Sequence, residues 1–222
     1  MQKYFAEAIG TFALVFAGTG AIVVNDLSGG VVTHVGVALT FGLVVAAMIH
    51  AVGDVSGAHL NPAVTFGFWL ARRLPGTEVA PFVLSQLIGA GLASVLVRGI
   101  FGAHPNLGAT LPAIGVGPTL LLETVITLLL MFTILNVATG AKEKGVAASF
   151  AIGGVVALAA LFAGPMTGAS MNPARSLAPA LLSGQLGGLW IYLAAPVVGA
   201  ALAVGACRCT RGVQCCTAGA AV

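Results

Sequence analysis

The chain has 222 residues, of which 59% are hydrophobic and only 7% charged, and its formal net charge is +3. A soluble domain carries about 25% charged residues, so this composition excludes an ordinary soluble protein, whose apolar surface would aggregate, and fits a chain dissolved in lipid. There is no basic stripe with interleaved aromatics, which removes nucleic acid as a partner.

A helix needs about 20 mostly apolar residues to cross a bilayer core, and six runs meet that need. The first, residues 4–24, is too long for the apolar core of a cleaved signal peptide, contains Glu7 and lacks a small-x-small exit. It is read as a retained span. Next come 33–52, 80–101, 117–138, 146–163 and 188–207. Turn-forming residues fill the gaps, among them Asn25-Asp26, Ser28-Gly29-Gly30, His104-Pro105-Asn106 and Lys142-Glu143-Lys144. Two further stretches, 61–71 and 172–182, are too short to span. As helices each would reach about 15 Å, half the core thickness.

Six crossings put both termini on one side. That side collects Lys3, Arg72, Arg73, Lys142, Lys144, Arg208 and Arg211, with Arg98 near the other face and Arg175 within the membrane zone. The excess of basic residues predicts cytoplasmic termini, in a plasma (inner) membrane. Cys207, Cys209, Cys215 and Cys216 all lie at the C-terminal end. They are neither spread as a disulfide framework nor paired as C-x-x-C. The expectation is one domain over 1–207 followed by a cytoplasmic, inert and poorly ordered cysteine-containing tail, 208–222. Soft-metal binding or lipidation are the other readings of that tail.

The two short stretches begin alike. Ser56-Gly57-Ala58-His59-Leu60-Asn61-Pro62-Ala63 reads against Thr167-Gly168-Ala169-Ser170-Met171-Asn172-Pro173-Ala174. Glu7-x-x-x-Thr11 in the first span recurs as Glu123-x-x-x-Thr127 in the fourth. The chain is thus two repeats, about 4–101 and about 117–207. Each holds three spans, an odd number, so the second inserts upside down. The expected fold is an all-α membrane protein with six transmembrane helices and two re-entrant half-helices in an inverted repeat.

Asparagine is a strong N-cap and proline suits the first helical position. Asn61-Pro62-Ala63 and Asn172-Pro173-Ala174 therefore read as helix starts, each with free N–H groups and about half a positive charge. Facing each other near the midplane, they would repel cations and offer the Asn61 and Asn172 amides to the space between. If the caps are right, the eight residues before each motif are expected to be non-helical, which at this depth is tolerated only inside protein or along a water-filled cavity.

On these paired motifs the sequence resembles the aquaporin, or major intrinsic protein, family over about 4–207. The resemblance implies a homotetramer with a pore in every subunit, and a central Asn61–Asn172 donor pair that interrupts a proton wire. It also implies a selectivity filter of Phe41, Ala160, Ala169 and Arg175, placed by spacing from the motifs. Strict water channels of the family usually have histidine where this chain has Ala160. The change widens the filter to Phe41, two methyl groups and one guanidinium. The segment Asn172-Pro173-Ala174-Arg175-Ser176-Leu177-Ala178-Pro179-Ala180, with Tyr192-Leu193, is similar to the nodulin-like branch. That branch passes small uncharged hydroxylated solutes, including arsenous and boric acids.

Other residues have plainer readings. Glu7 and Glu123 are ionisable groups inside the membrane and so candidates for ion or proton coupling. Their symmetric placement favours a structural role, accepting hydrogen bonds from the irregular segments before each motif. His59 would line the terminal-side vestibule, but His34, His50, His59 and His104 form no cluster at ligand spacing, so no metal or cofactor is expected. Gly89-x-Gly91 and Gly199-Ala200-Ala201 suit close helix packing. Arg175 could be an interfacial arginine that snorkels, but its position beside a cap motif favours the pore. The expected function is passive conduction of water and small neutral solutes, without protons or ions. Strict water selectivity is the alternative. A secondary transporter also uses inverted repeats, but it would need a coupling site, and an enzyme would need a nucleophile–base pair; neither is present.

Overall fold

The computed structural model describes residues 1–137, 146–212 and 215. Lys142, Lys144 and Cys216 lie outside that range. Among the described residues eight helices follow one another: α1 Gln2–Leu27, α2 Thr33–Ser56, α3 Pro62–Leu70, α4 Gly76–Phe101, α5 Val116–Val137, α6 Val146–Thr167, α7 Pro173–Ser183 and α8 Leu189–Arg211. Six are long and apolar enough to cross a membrane. The other two, α3 and α7, are the half-helices. The chain is an all-α, multi-pass integral membrane protein.

The observed spans are longer than the apolar runs alone. Asn25 and Asp26 belong to the last turn of α1 rather than to a loop, and Asn25 uses its side-chain oxygen to accept the Thr33 N–H at 2.8 Å. The irregular stretch before each motif is four residues, not eight. Helix α2 continues to Ser56 and α6 to Thr167. Each ends where a glycine enters the left-handed region, Gly57 at φ 83° and Gly168 at φ 84°, and each glycine N–H still closes a helical turn, to Gly53 O and Gly164 O. Ser56 and Thr167 stay helical because the turn holds up to the glycine.

Packing follows the repeat. Helix α1 lies on α4, α5 lies on α8, and α2 crosses α6. Glycines set these approaches. A methyl at Gly89 would strike the carbonyl of Ala8, and one at Gly199 the carbonyl of Thr124, whereas Gly91 has open space around it. At the α2–α6 crossing, Gly42 and Gly153 face each other. A Cβ on Gly42 would lie 2.6 Å from the Gly153 oxygen, and one on Gly153 would strike the Gly42 oxygen. Because these two glycines are repeat equivalents, the crossing lies on the pseudo-two-fold axis. Large apolar side chains such as Leu84, Leu92, Leu121 and Phe150 remain exposed on the outer faces, where lipid replaces water as solvent.

The C-terminal boundary differs from the expectation. Helix α8 runs through residue 207 to Arg211 without a break. Cys207 is buried and disulfide-bonded to Cys215, and only Cys209 is free among the described cysteines. The Cys215 carbonyl accepts from Arg73 Nε at 2.9 Å and Nη2 at 2.6 Å. Cys215 is therefore docked on the α3–α4 connection, a contact that a local reading of the tail cannot supply.

Candidate functional site

Each re-entrant segment is shaped by one carboxylate. Glu7 Oε1 accepts the Ser56 hydroxyl at 2.7 Å and the His59 N–H at 2.8 Å. Its Oε2 accepts the Leu60 N–H at 2.7 Å and Gln86 Nε2 at 2.8 Å. In the second repeat, Glu123 Oε1 accepts the Thr167 hydroxyl at 2.7 Å and the Ser170 N–H at 2.9 Å, and Oε2 accepts the Met171 N–H at 3.0 Å. Both glutamates are fully buried. The bonds hold an unusual backbone, with Ala58 and Leu60 at φ 45° and 52°, and Ala169 and Met171 at 42° and 52°. Such values cost a non-glycine residue of order 1 kcal/mol or more and persist only where the surroundings dictate them.

The two segments meet through their asparagines. Asn61 caps α3 by accepting the Ala63 N–H at 2.8 Å, and Asn172 caps α7 by accepting from Ala174 at 3.0 Å and Arg175 at 3.3 Å. Each amide then donates across the repeat boundary: Asn61 Nδ2 to the Met171 carbonyl at 2.7 Å, and Asn172 Nδ2 to the Leu60 carbonyl at 2.9 Å. An amide nitrogen has two N–H groups, so each asparagine keeps one beyond this cross-link. Among the described residues, the carbonyls of Gly57, Ala58 and His59, and of Gly168, Ala169 and Ser170, accept no hydrogen bond.

A cavity of about 880 Å³ runs from the face that carries the termini, past His50, Asp54 and Arg73, to Asn61 and Asn172. Its deepest lining from α2 and α6 includes Val45 and Val156, one helical turn short of Phe41 and Ala160. His59 also lines it, its ring stacked on Phe68 at 4.5 Å. The Thr65 hydroxyl lies 3.1 Å from both the Asn61 carbonyl and His59 Nδ1, and it accepts from Gln86 Nε2 at 2.9 Å.

Beyond the asparagines, one turn further along α2 and α6 than the last cavity-lining residues, lie Phe41 and Ala160. Phe41, Ala160 and Ala169 are 8%, 8% and 7% exposed, and Arg175 is 2% exposed. The Arg175 guanidinium lies over the Phe41 ring, 5.0 Å from its centroid, and Nη1 donates to the Gly108 carbonyl at 2.8 Å. Arg175 Nε has no partner among the described residues. Two contributors are absent from any motif. A methyl at Gly18 would collide with the Phe41 ring, so α1 provides the slot that seats it. Gly108, on the α4–α5 connection, supplies the carbonyl that aims Arg175, and it is itself packed on Thr19. The left-handed φ of Gly108 (71°) was the one signal available for it, and sequence does not display φ.

The family model for the major intrinsic proteins matches residues 1–206. Aquaporin NIP1-1 of Oryza sativa subsp. japonica is 46% identical over 201 residues, 90% of this chain and 71% of that one. Nodulin-26 of Glycine max is 45% identical over 201 residues, 90% of this chain and 74% of that one. Among solved structures, the aquaglyceroporin from Plasmodium falciparum superposes with a TM-score of 0.83 at 25% identity, covering 91% of this chain and 93% of that one. The chain belongs to the major intrinsic protein family.

Proposed function

We propose that this family member is a passive channel for water and small uncharged solutes, of the size and polarity of glycerol, arsenous acid or boric acid, and that it refuses protons and ions. The observation that carries the reading is the pair of capped half-helices whose asparagines close the inner end of the cavity. Each helix start carries about half a positive charge. Two together, acting on a monovalent cation about 5 Å away at an effective dielectric of about 20, oppose it by about 3 kcal/mol. The spare N–H groups of Asn61 and Asn172 can both be accepted by one water oxygen. Its hydrogens then point away from the midplane, so a continuous proton wire is interrupted there.

Solute size is set by Phe41, Ala160, Ala169 and Arg175. Methyl groups at two of these positions leave room for a polyol, Arg175 supplies donors for its hydroxyls, and the Phe41 ring covers its carbon face. The carbonyls left free before each motif continue the polar track. The contacts of Glu7 and Glu123 support passive conduction over coupled transport, because both carboxylates are occupied in holding the loops. Lys3, Arg72, Arg73, Arg208 and Arg211 on the terminal face support cytoplasmic termini in a plasma membrane. The exposed apolar helix faces are compatible with a homotetramer in lipid.

Stopped-flow light scattering on proteoliposomes tests this with water, glycerol and arsenous acid. All three are expected to pass without saturation and without an ion gradient. Ala160→His should suppress solute flux more than water flux. Water flux with no solute permeation would replace the wide-filter reading with a strict water channel, and gradient-dependent uptake would replace the channel with a transporter.

A further inference from the structure

Pro165 lies inside α6 and has no N–H to give the carbonyl of Leu161 four residues earlier. That carbonyl is served from another helix: His34 Nε2, near the start of α2, lies 2.7 Å from it. A carbonyl only accepts, so Nε2 carries the proton. The ring also has a seat. A methyl at Gly164 would lie 2.9 Å from His34 Cε1, so the missing side chain at Gly164 is what admits the imidazole. A proline that frees a carbonyl, a glycine that opens a notch and a histidine that fills both form one joint between α2 and α6.

The position of the joint gives it a purpose. His34 precedes Phe41 by seven residues, two helical turns, on the same face of α2, and Leu161 directly follows Ala160. The bond therefore ties together the two helices that carry Phe41 and Ala160, on the side of the constriction away from the cavity. Closer to the midplane the same helices are pinned where Gly42 meets Gly153. His34 is eight residues, about 12 Å along α2, from that crossing. Residue 160 is an alanine, so little side-chain bulk spans the gap, and the distance between the helix backbones sets the aperture on that side.

We infer that His34 is a positioning residue that fixes the separation of α2 and α6 at the constriction and so limits the size of solute admitted. The inference rests on the reading of Phe41 and Ala160 as filter residues. Without the bond, the Leu161 carbonyl loses its donor and the proline-interrupted end of α6 is free to move outward, which enlarges the aperture for a polyol more than for water.

The test compares wild type, His34→Leu, His34→Gln, Pro165→Ala and the His34→Leu/Pro165→Ala pair in proteoliposomes, reading the glycerol-to-water permeability ratio. His34→Leu is expected to raise the ratio at least about twofold, the scale of one net hydrogen bond. His34→Gln keeps an N–H donor at similar reach and is expected to match wild type. In the Pro165→Ala background residue 165 regains an N–H for Leu161, so adding His34→Leu should change nothing further. The inference is overturned if His34→Leu matches wild type, if His34→Gln shifts the ratio as far as His34→Leu, or if His34→Leu has its full effect on Pro165→Ala. Wild type that passes water but no glycerol removes the wide-filter reading instead. Water permeability per channel then becomes the readout, and equal values for His34→Leu and His34→Gln overturn the inference there.

Discussion

Replacing each loop-holding glutamate by glutamine separates two sites that look equivalent in the sequence. In Glu7→Gln, one carboxylate oxygen becomes an NH2 group. Both oxygens of Glu7 accept two donors each, so either orientation of the amide leaves two donors without an acceptor. Turning the Ser56 hydroxyl to accept the new amide saves one contact but strands the hydroxyl proton. In Glu123→Gln, the amide nitrogen can take the Oε2 side, where only the Met171 N–H is lost. A buried donor left without its acceptor costs about 1–3 kcal/mol. The expected losses are thus about 2–6 kcal/mol for Glu7→Gln and about 1–3 kcal/mol for Glu123→Gln, against a typical total stability of about 5–15 kcal/mol. Neutral side-chain pairs in membranes average only about 0.6 kcal/mol because the unfolded state finds other partners. The N–H groups of His59 and Leu60 lie outside any helix and have no such substitute. Thermal unfolding in one detergent, followed by circular dichroism, should show the larger drop in Tm for Glu7→Gln. Hydrogen exchange should speed up at residues 57–60 in that variant and at 168–171 in the other. A Tm loss in Glu123→Gln equal to or larger than that in Glu7→Gln would refute the bond counting.

Two further outcomes follow from the packing. Gly18→Ala pushes a methyl into the Phe41 ring, so the ring must move toward Arg175; solute permeability should fall severalfold while the protein stays folded by Tm. Gly42→Ala meets Ala157 Cβ and the Gly153 oxygen at 2.6 Å and should cost about 1–3 kcal/mol or more as overpacking. Gly91→Ala, with open space, should be neutral or slightly stabilising through helix propensity; Tm measurements on the two variants check the contrast.

The parts of this molecule that could be read from the chain are those written twice or written locally. The spans follow from apolar length, and the starts of α3 and α7 follow from Asn-Pro at residues 61–62 and 172–173, because a cap is decided within three residues. The inverted arrangement was legible because the two copies could be compared. The extra helical turn before Gly57 and Gly168 was missed because an Asn cap fixes where the next helix starts and not where the preceding one ends, which here is at the left-handed glycine. The slot at Gly18, the Gly108 carbonyl behind Arg175 and the docking of Cys215 on Arg73 each join residues far apart in the chain with no repeated spacing. Glycine in particular is ambiguous in sequence: Gly89 and Gly91 read alike, yet only Gly89 touches a neighbouring backbone.

The reciprocal bonds from Asn61 to Met171 and from Asn172 to Leu60 also constrain how the protein is made. The first half emerges from the ribosome with its amide and its carbonyl unmatched, and their partners are encoded 110 and 112 residues later. At about 5–20 residues per second, that is a wait of roughly 6–22 s. During this interval three spans can already sit in the bilayer while the first re-entrant segment lacks its counterpart. The aqueous path is thus closed into its working shape only after the second half has inserted. A nascent chain stalled before residue 171 would be membrane-integrated yet have no finished conduit, which spares the cell a half-built leak.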